Sequence, residues 1–179
     1  ICFQGFIGWY MVSSGLVDRV DVSHFRLSLH LFFAFLILSL IYWNYLKINV
    51  LRKITNKLNT YIPLLFLTLV FLQISIGAFV SGMDAGKIYN SWPLMGNSYF
   101  PNDNNINNLF EVAALSDPSL VQFIHRNLAY LIGGFYILIF YKIYRNKMYD
   151  LYKSVNYLGI FIIFQIILGI FTVLYGAQI

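Results

Sequence analysis

Residues 27–46, 61–80, 120–141 and 155–175 form four predominantly apolar stretches of about 20 residues each, enough at 1.5 Å per helical residue to cross roughly 30 Å of hydrocarbon. A fifth stretch, 1–17, is apolar from its first residue, with neither an initiating Met nor the basic n-region of a signal peptide, and reads as a helix cut at its start. Gly176-Ala177-Gln178-Ile179 then stops without a tail, so the expectation is a fragment with five spans. Hydrocarbon offers no partner to a backbone N–H or C=O, which makes each span a helix. With 59% hydrophobic and 11% charged residues and a mean hydropathy of +0.69, the composition excludes a soluble core. The predicted fold class is all-α, a polytopic transmembrane helical bundle.

The positions of the charges set an orientation. The connection 47–60 carries Lys47, Arg52, Lys53 and Lys57 with no acid, and the next such connection carries Lys142, Arg145, Lys147 and Lys153 against Asp150. By the positive-inside rule both face the cytoplasm, or the matrix in an organelle. The other two connections mix Arg19, Arg26, Lys87 and Arg126 with Asp18, Asp21, Asp84, Asp103, Glu111 and Asp117, and face outward. The net charge of +5 is therefore an orientation signal that suits anionic membrane lipids; no nucleic-acid partner is expected. Cys2 has no mate in the chain and says nothing of redox compartment.

The outward connections differ in kind. In 14–26, Ser23 offers an N-cap for the second span. The loop 81–119 is long and rich in Gly, Asn and Pro, the composition of a functional lid or of a disordered segment, and its Tyr and Trp suit a membrane-interface cap. Asp84, Tyr89, Asn90 and Pro93 follow directly from a helix end and are expected to fold back over an outer-leaflet site. Asp117-Pro118 pairs a capping acid with Pro at the first helical position, so the fourth span starts there.

Within that span, Val121-Gln122-Phe123-Ile124-His125-Arg126-Asn127 places an imidazole about two turns deep. An unpartnered polar group in hydrocarbon costs on the order of 2–7 kcal/mol, so an intramembrane His marks a candidate site, although a His near a helix end also reaches interfacial water or a neighbouring helix. His30 lies one turn inside the second span, at nearly matched depth. Arg126 adjoins His125, and Arg26 lies one turn before His30. Neutral imidazole is an axial haem ligand, the macrocycle fits an apolar slot between helices, and its propionates favour cations at the water boundary. Ordinary interfacial snorkelling explains each Arg equally well. Met11, Met83, Met95 and Met148 are also capable of ligating iron, but Met is more often gap-filling core.

An internal repeat bears on topology. Shifting the chain by 161 residues matches Phe3 with Phe164, Gln4 with Gln165, Gly8 with Gly169, Val12 with Val173 and Gly15 with Gly176. The third span has a fainter version, Gln73-Ile74-Ser75-Ile76-Gly77. The glycines are read as sites of close helix approach. The first and fifth spans become equivalent helices of a duplicated four-helix unit. Residues 1–46 then end an N-terminal half, 47–60 form a linker, and 61–179 begin a C-terminal half. If both halves carry a His on each flanking helix, the whole has four ligands in two pairs, and His30 and His125 need not share an iron.

Several motifs together resemble the heme A synthase family. They are Phe3-Gln4-Gly5 through Gly8-Trp9-Tyr10-Met11-Val12, Ser14-Gly15-Leu16, Val22-Ser23, and Phe25-Arg26-Leu27 to His30-Leu31. Further along come Gly77-Ala78-Phe79-Val80 with Gly82-Met83-Asp84-Ala85-Gly86, Tyr89-Asn90-Ser91, Pro93, Met95-Gly96, and Val121-Gln122-Phe123 with His125-Arg126. The resemblance covers essentially the whole chain and implies the third to seventh of eight helices. It implies oxidation of a ring methyl of haem O to the formyl of haem A, with haem b as cofactor and haem O as substrate. It further implies an inner-membrane location, bacterial or mitochondrial, with haem O synthase and haem-copper oxidase assembly factors as partners; homo-oligomerisation is compatible with it. The family's haem ligands carry over to His30 and His125, with Arg26 and Arg126 beside them. Their mates and the family's acidic residue lie outside these residues, and Gln122 stands three before His125, where it cannot ionise. The outer loops lack the Cys pair of some bacterial members, so the mitochondrial and proteobacterial branch is closer. His24 matches no family ligand and reads as a loop residue. A non-catalytic bis-His membrane cytochrome fits the same histidines, while a purely structural subunit leaves them unexplained. The isolated 179 residues are expected to be inactive.

Overall fold

The computed structural model describes residues 2–15, 21–49 and 58–176. The charges counted at Asp18, Arg19, Arg52, Lys53 and Lys57 lie outside these. Five α-helices run in order: α1 (Cys2–Val12), α2 (His24–Asn49), α3 (Tyr61–Gly82), α4 (Pro118–Arg145) and α5 (Tyr149–Leu174). Three short 3-10 turns, Ala85–Lys87, Ile106–Phe110 and Val112–Ser116, lie between α3 and α4. An isolated antiparallel bridge there joins Met95 and Ser98. No strand occurs among the described residues, so the chain is all-helical as expected.

Among the described residues, four helical stretches are long and apolar enough to cross a membrane: His24–Ile48, Tyr61–Gly82, Pro118–Arg145 and Tyr149–Leu174. The expected first span differs. Its described helix has 11 residues and gives way to a turn after Val12. There Ser13 Oγ donates to the Tyr10 carbonyl at 2.9 Å and Ser14 Oγ to the Met11 carbonyl at 2.6 Å, competing with continuation of the helix. Leu38, Ile41, Ile163 and Phe164 stand among many large apolar side chains left exposed, as lipid-facing surfaces require.

Each helix packs on its neighbour in sequence, which brings the ends of α1, α3 and α5 and the starts of α2 and α4 to one end of the bundle. Across α2 and α3, Ser28 is buried and its Oγ donates to the Ser75 carbonyl at 3.0 Å, while Phe32 meets Phe71 at 5.3 Å between ring centroids. His24 is the first residue of α2 rather than a loop residue. Its ring meets Phe79 edge-on at 5.6 Å, and its Cα and Cβ lie against Gly82. Because α2 begins three residues earlier than residue 27, His24 is carried into the α2–α3 interface. The other packed centre comprises Phe66, Ile132, Ile139, Ile143 and Val155 of α3, α4 and α5. Beside it the Tyr136 hydroxyl donates to the Val155 carbonyl at 3.2 Å, in the space left by the missing side chain of Gly159.

The start of α4 follows the expected chemistry. The Asp117 side chain accepts from Leu120 N at 2.9 Å, with Pro118 at the first helical position. Asn104 Nδ2 also donates to that carboxylate, at 3.2 Å to either oxygen, so the cap fastens the preceding loop to the helix as well.

Candidate functional site

Gln4 and Gly8 lie one turn apart on α1, and so do Gln73 and Gly77 on α3; residues at i and i+4 share a helix face. Each pair meets one histidine of the next helix. Gln4 Nε2 lies 3.0 Å from the His30 carbonyl, 3.2 Å from its Nδ1 and 3.4 Å from its Nε2. Gln73 Nε2 lies 3.2 Å from the His125 carbonyl and 3.3 Å from its Nε2. A Cβ on Gly8 would stand 3.1 Å from His30 Cε1, and one on Gly77 would stand 3.1 Å from His125 Cε1. In both places the bare Cα makes room for an imidazole edge.

This corrects the reading of the glycines. Gly15 and Gly82 do face backbone of a neighbouring segment, Asp21 and His24 respectively, but Gly8 and Gly77 face rings. It also raises the third-span motif from a faint echo to a full counterpart. Gln4 and Gln73 were noted in sequence for topology alone; their four-residue spacing to Gly was the signal of a ring-holding face. His30 and His125 are held by different helices, in separate pairs.

The two arginines bind backbone. Arg26 Nη1 donates to the Tyr10 carbonyl at 2.9 Å, with the guanidinium 4.0 Å over the Tyr10 ring, tying α2 to the end of α1. Arg126 donates through Nη1 to the Ser91 carbonyl and through Nη2 to the Tyr89 carbonyl, both at 2.9 Å. Gln122 Nε2 shares the Tyr89 carbonyl at 3.0 Å. Gln122, three residues before His125, is thus an amide anchored to the loop.

The α3–α4 loop is folded onto α4. Ala85 and Met95 are fully buried within it, Trp92 Nε1 donates to the Tyr130 hydroxyl at 2.9 Å, and the Tyr99 hydroxyl bonds Asn127 Oδ1. Phe100 meets Phe123 edge-on at 5.0 Å. Of the four residues expected to cap the site, Tyr89 is anchored twice: its carbonyl by Arg126 and Gln122, and its hydroxyl by donation to Asp103 at 2.8 Å. Asn90 Nδ2 lies against Gly176 just beyond α5. Pro93 follows Trp92 through a cis peptide bond. Asp84 takes a left-handed turn conformation at φ 52° and pairs with Lys87 at 2.9 Å, both side chains well exposed, so it lies on the loop's outer rim. Partial burial pushes the Tyr89 phenol above its ordinary range, reinforced by its bond to Asp103. Burial also works against the Asp103 carboxylate, but donation from Ser119 and Tyr89 outweighs it and holds Asp103 below the usual carboxylate range.

His125 Nδ1, Gln73 Oε1, Gln122 Oε1 and Arg126 Nε are buried without a hydrogen-bond partner, a concentration of polar atoms that interiors rarely tolerate. No group of three or more His, Cys, Asp or Glu able to hold a bare metal ion occurs among the described residues. One imidazole per helix pair suits a metal whose remaining ligands come from a macrocycle. The residues fit a haem: a held imidazole, an apolar helix cleft and an arginine alongside. A mostly apolar cleft between α3 and α4 is lined by Leu72, Ile76, Leu109, Phe123, Ile124, Asn127, Leu128 and Leu131; His125, on the same stretch of α4, does not itself line it.

The family model described as a cytochrome oxidase assembly protein, COX15-CtaA, matches residues 1–179. The protein named heme A synthase in Pelagibacter ubique is 50% identical over 179 residues, covering 100% of this chain and 53% of that protein. The Rickettsia bellii protein of the same name is 40% identical over 184 residues, covering 99% of this chain and 54% of its own length. That of Flavobacterium johnsoniae is 40% identical over 190 residues, covering 97% and 52%. The chain thus spans about half the length of these relatives. No solved structure matches it.

Proposed function

Because this chain belongs to the COX15-CtaA family of cytochrome oxidase assembly proteins, we propose that it works as part of a heme A synthase, an integral-membrane oxidoreductase acting on haem O. The observation that carries this reading is the pair of held imidazoles, Gln4 and Gly8 against His30 and Gln73 and Gly77 against His125. Oxidising a ring methyl to a formyl with oxygen from water releases four protons and four electrons, and the electrons must leave for a membrane acceptor. Haem iron, when bound, supplies that redox chemistry. His30 and His125 are the residues of this chain that would hold it. Arg26 and Arg126, whose nitrogens hold backbone carbonyls, would offer positive charge to the carboxylates of a haem bound beside these histidines.

The two histidines have different tasks. Gln122, three residues before His125, cannot ionise and is engaged by the Tyr89 carbonyl, so this site lacks a proton-transfer group at that position. His125 would therefore hold a resident haem b, and His30 would belong to the half that takes haem O. The loop anchored on Arg126 excludes water over the His125 cleft, which strengthens the electrostatic interactions inside it. Both imidazoles lie toward the periplasmic or intermembrane face, opposite the basic connections. Haem O synthase and haem-copper oxidase assembly factors are the partners that such a reaction implies.

The test is chemical. The full-length protein is expressed with a haem O source in a host lacking its own heme A synthase, and the haems are extracted and separated. Haem A is the expected product. Bound haem with no haem A in any preparation supports instead a non-catalytic bis-His membrane cytochrome.

A further inference from the structure

A carbonyl oxygen only accepts hydrogen bonds, so the contact between Gln73 Nε2 and the His125 carbonyl fixes which end of the Gln73 amide faces the histidine. The same NH2 group reaches His125 Nε2 at 3.3 Å. A donor directed at a ring nitrogen requires a lone pair there, which places the proton of the neutral ring on Nδ1. Gly77 leaves room for the ring edge: a Cβ there would stand 3.1 Å from Cε1, so the imidazole occupies the space that a side chain on α3 would fill. Nδ1, buried and without a partner, contributes nothing of its own to that choice.

We propose that Gln73 is a positioning residue that sets the tautomer and ring orientation of His125, holding the proton on Nδ1 and keeping the Nε2 lone pair as the metal-binding one. A metal approaching Nε2 displaces one amide N–H from the lone pair, while the bond from the same nitrogen to the His125 carbonyl keeps Gln73 in place. Gln4 holds the orientation of His30 in the same manner, bonded to its carbonyl at 3.0 Å, but it reaches both ring nitrogens and selects between them less strictly. The tautomer assignment stands on the residues alone; its bearing on haem rests on the proposed function. Groups that fix a ligating imidazole through its surroundings typically change metal affinity about 10–100-fold when removed.

The experiment uses the full-length protein labelled with 15N-histidine, prepared free of haem, with His125→Asn identifying the His125 signals. The expected spectrum has a protonated Nδ1 and an unprotonated Nε2 in the unsubstituted protein, and a mixture of tautomers in Gln73→Leu. Gly77→Ala, which leaves the amide in place but crowds the ring, is the second variant in case Gln73→Leu fails to fold, and is expected to shift the His125 signals. Gly134→Ala, with nothing within 4 Å of its added carbon, is the control. Haem is then added, and Gln73→Leu is expected to retain it about 10–100-fold less well, with a broadened low-spin resonance. Protonation at Nε2 in the unsubstituted protein, or an unchanged His125 spectrum in both variants, overturns the proposal. A spectrum as expected in a protein that never binds haem upholds the role of Gln73 and overturns the proposed function instead.

Discussion

Arg126 Nη2 donates to the Tyr89 carbonyl at 2.9 Å, so the residue immediately after His125 holds the backbone of a loop that left the bundle at the end of α3. The bond ties α4 beside His125 to the folded α3–α4 loop through a single side chain. A second nitrogen of the same guanidinium takes the Ser91 carbonyl, a forked geometry that an ammonium cannot reproduce.

Arg126→Lys therefore keeps the charge and loses the fork. Hydrogen bonds from a charged donor contribute about 1.5–3 kcal/mol each, and at least one is lost. Hydrogen exchange over residues 89–104 should accelerate by about tenfold or more, while exchange in α5 stays unchanged. Equal protection in both proteins would show that the loop holds without Arg126.

The Tyr89–Asp103 pair predicts a pH window for the same loop. The folded Asp103 carboxylate titrates below its unfolded value of about 3.9, so its contribution is complete above that value and is lost as pH falls through the lower folded one. Tyr89 titrates above its unfolded value of about 10; its contribution is complete below that value and is lost as pH rises through the higher folded one. Proteolysis of the loop should be slow between these limits and faster outside them. Asp103→Asn should remove the acid limb.

Asp84 and Asn90 stand together in the sequence as cap residues but separate in the fold. Asp84 is exposed, and surface ion pairs such as its contact with Lys87 contribute about 0–1 kcal/mol. Asp84→Gly also relieves a left-handed backbone, and haem A yield should be unchanged. Asn90→Ala removes a side chain seated against Gly176 and should lower the yield with little change in membrane insertion.

Gly159 of α5 leaves the space that the Tyr136 side chain of α4 fills. A Cβ there would collide with the Tyr136 hydroxyl, and overpacking of this kind costs about 1–3 kcal/mol. Gly159→Ala should lower the Tm in detergent, and adding Tyr136→Phe should recover part of the loss despite the missing bond to the Val155 carbonyl. A double variant no better than the single one would place the strain elsewhere.

The two imidazoles are separable by substitution. In the full-length protein His30→Ala should abolish haem A while leaving haem b largely in place, and His125→Ala should strip haem b. The opposite pattern in extracted haems would reverse the assignment, and equal loss from both would mean that the sites are structurally coupled.

Long apolar stretches announced α2 to α5 because length against bilayer thickness is a one-dimensional test, and Asp117-Pro118 marked its helix start because capping is local. What escaped was relational. His24 looked like a loop residue although Ser23, as a candidate N-cap, already put the start of α2 there; only the fold shows that its ring lies against Phe79. The glycines of α1 and α3 looked like helix-packing residues because a missing side chain is silent about what fills its space, and only the fold brings His30 and His125 there. The lid-or-disorder ambiguity of the α3–α4 loop had the same origin: Met95 and Ala85 become core only after the loop has doubled back on α4.

Each imidazole and its glutamine belong to helices that are neighbours along the chain, Gln4 with His30 and Gln73 with His125. A chain made from its N-terminus forms such nearby contacts early, before distant ones have anything to meet. The seat for His30 is complete once α2 has entered the membrane, whereas the bond from Ser28 to Ser75 must wait for α3. Each seated imidazole thus needs only one helix hairpin of the chain to be in place, and no contact with a later helix.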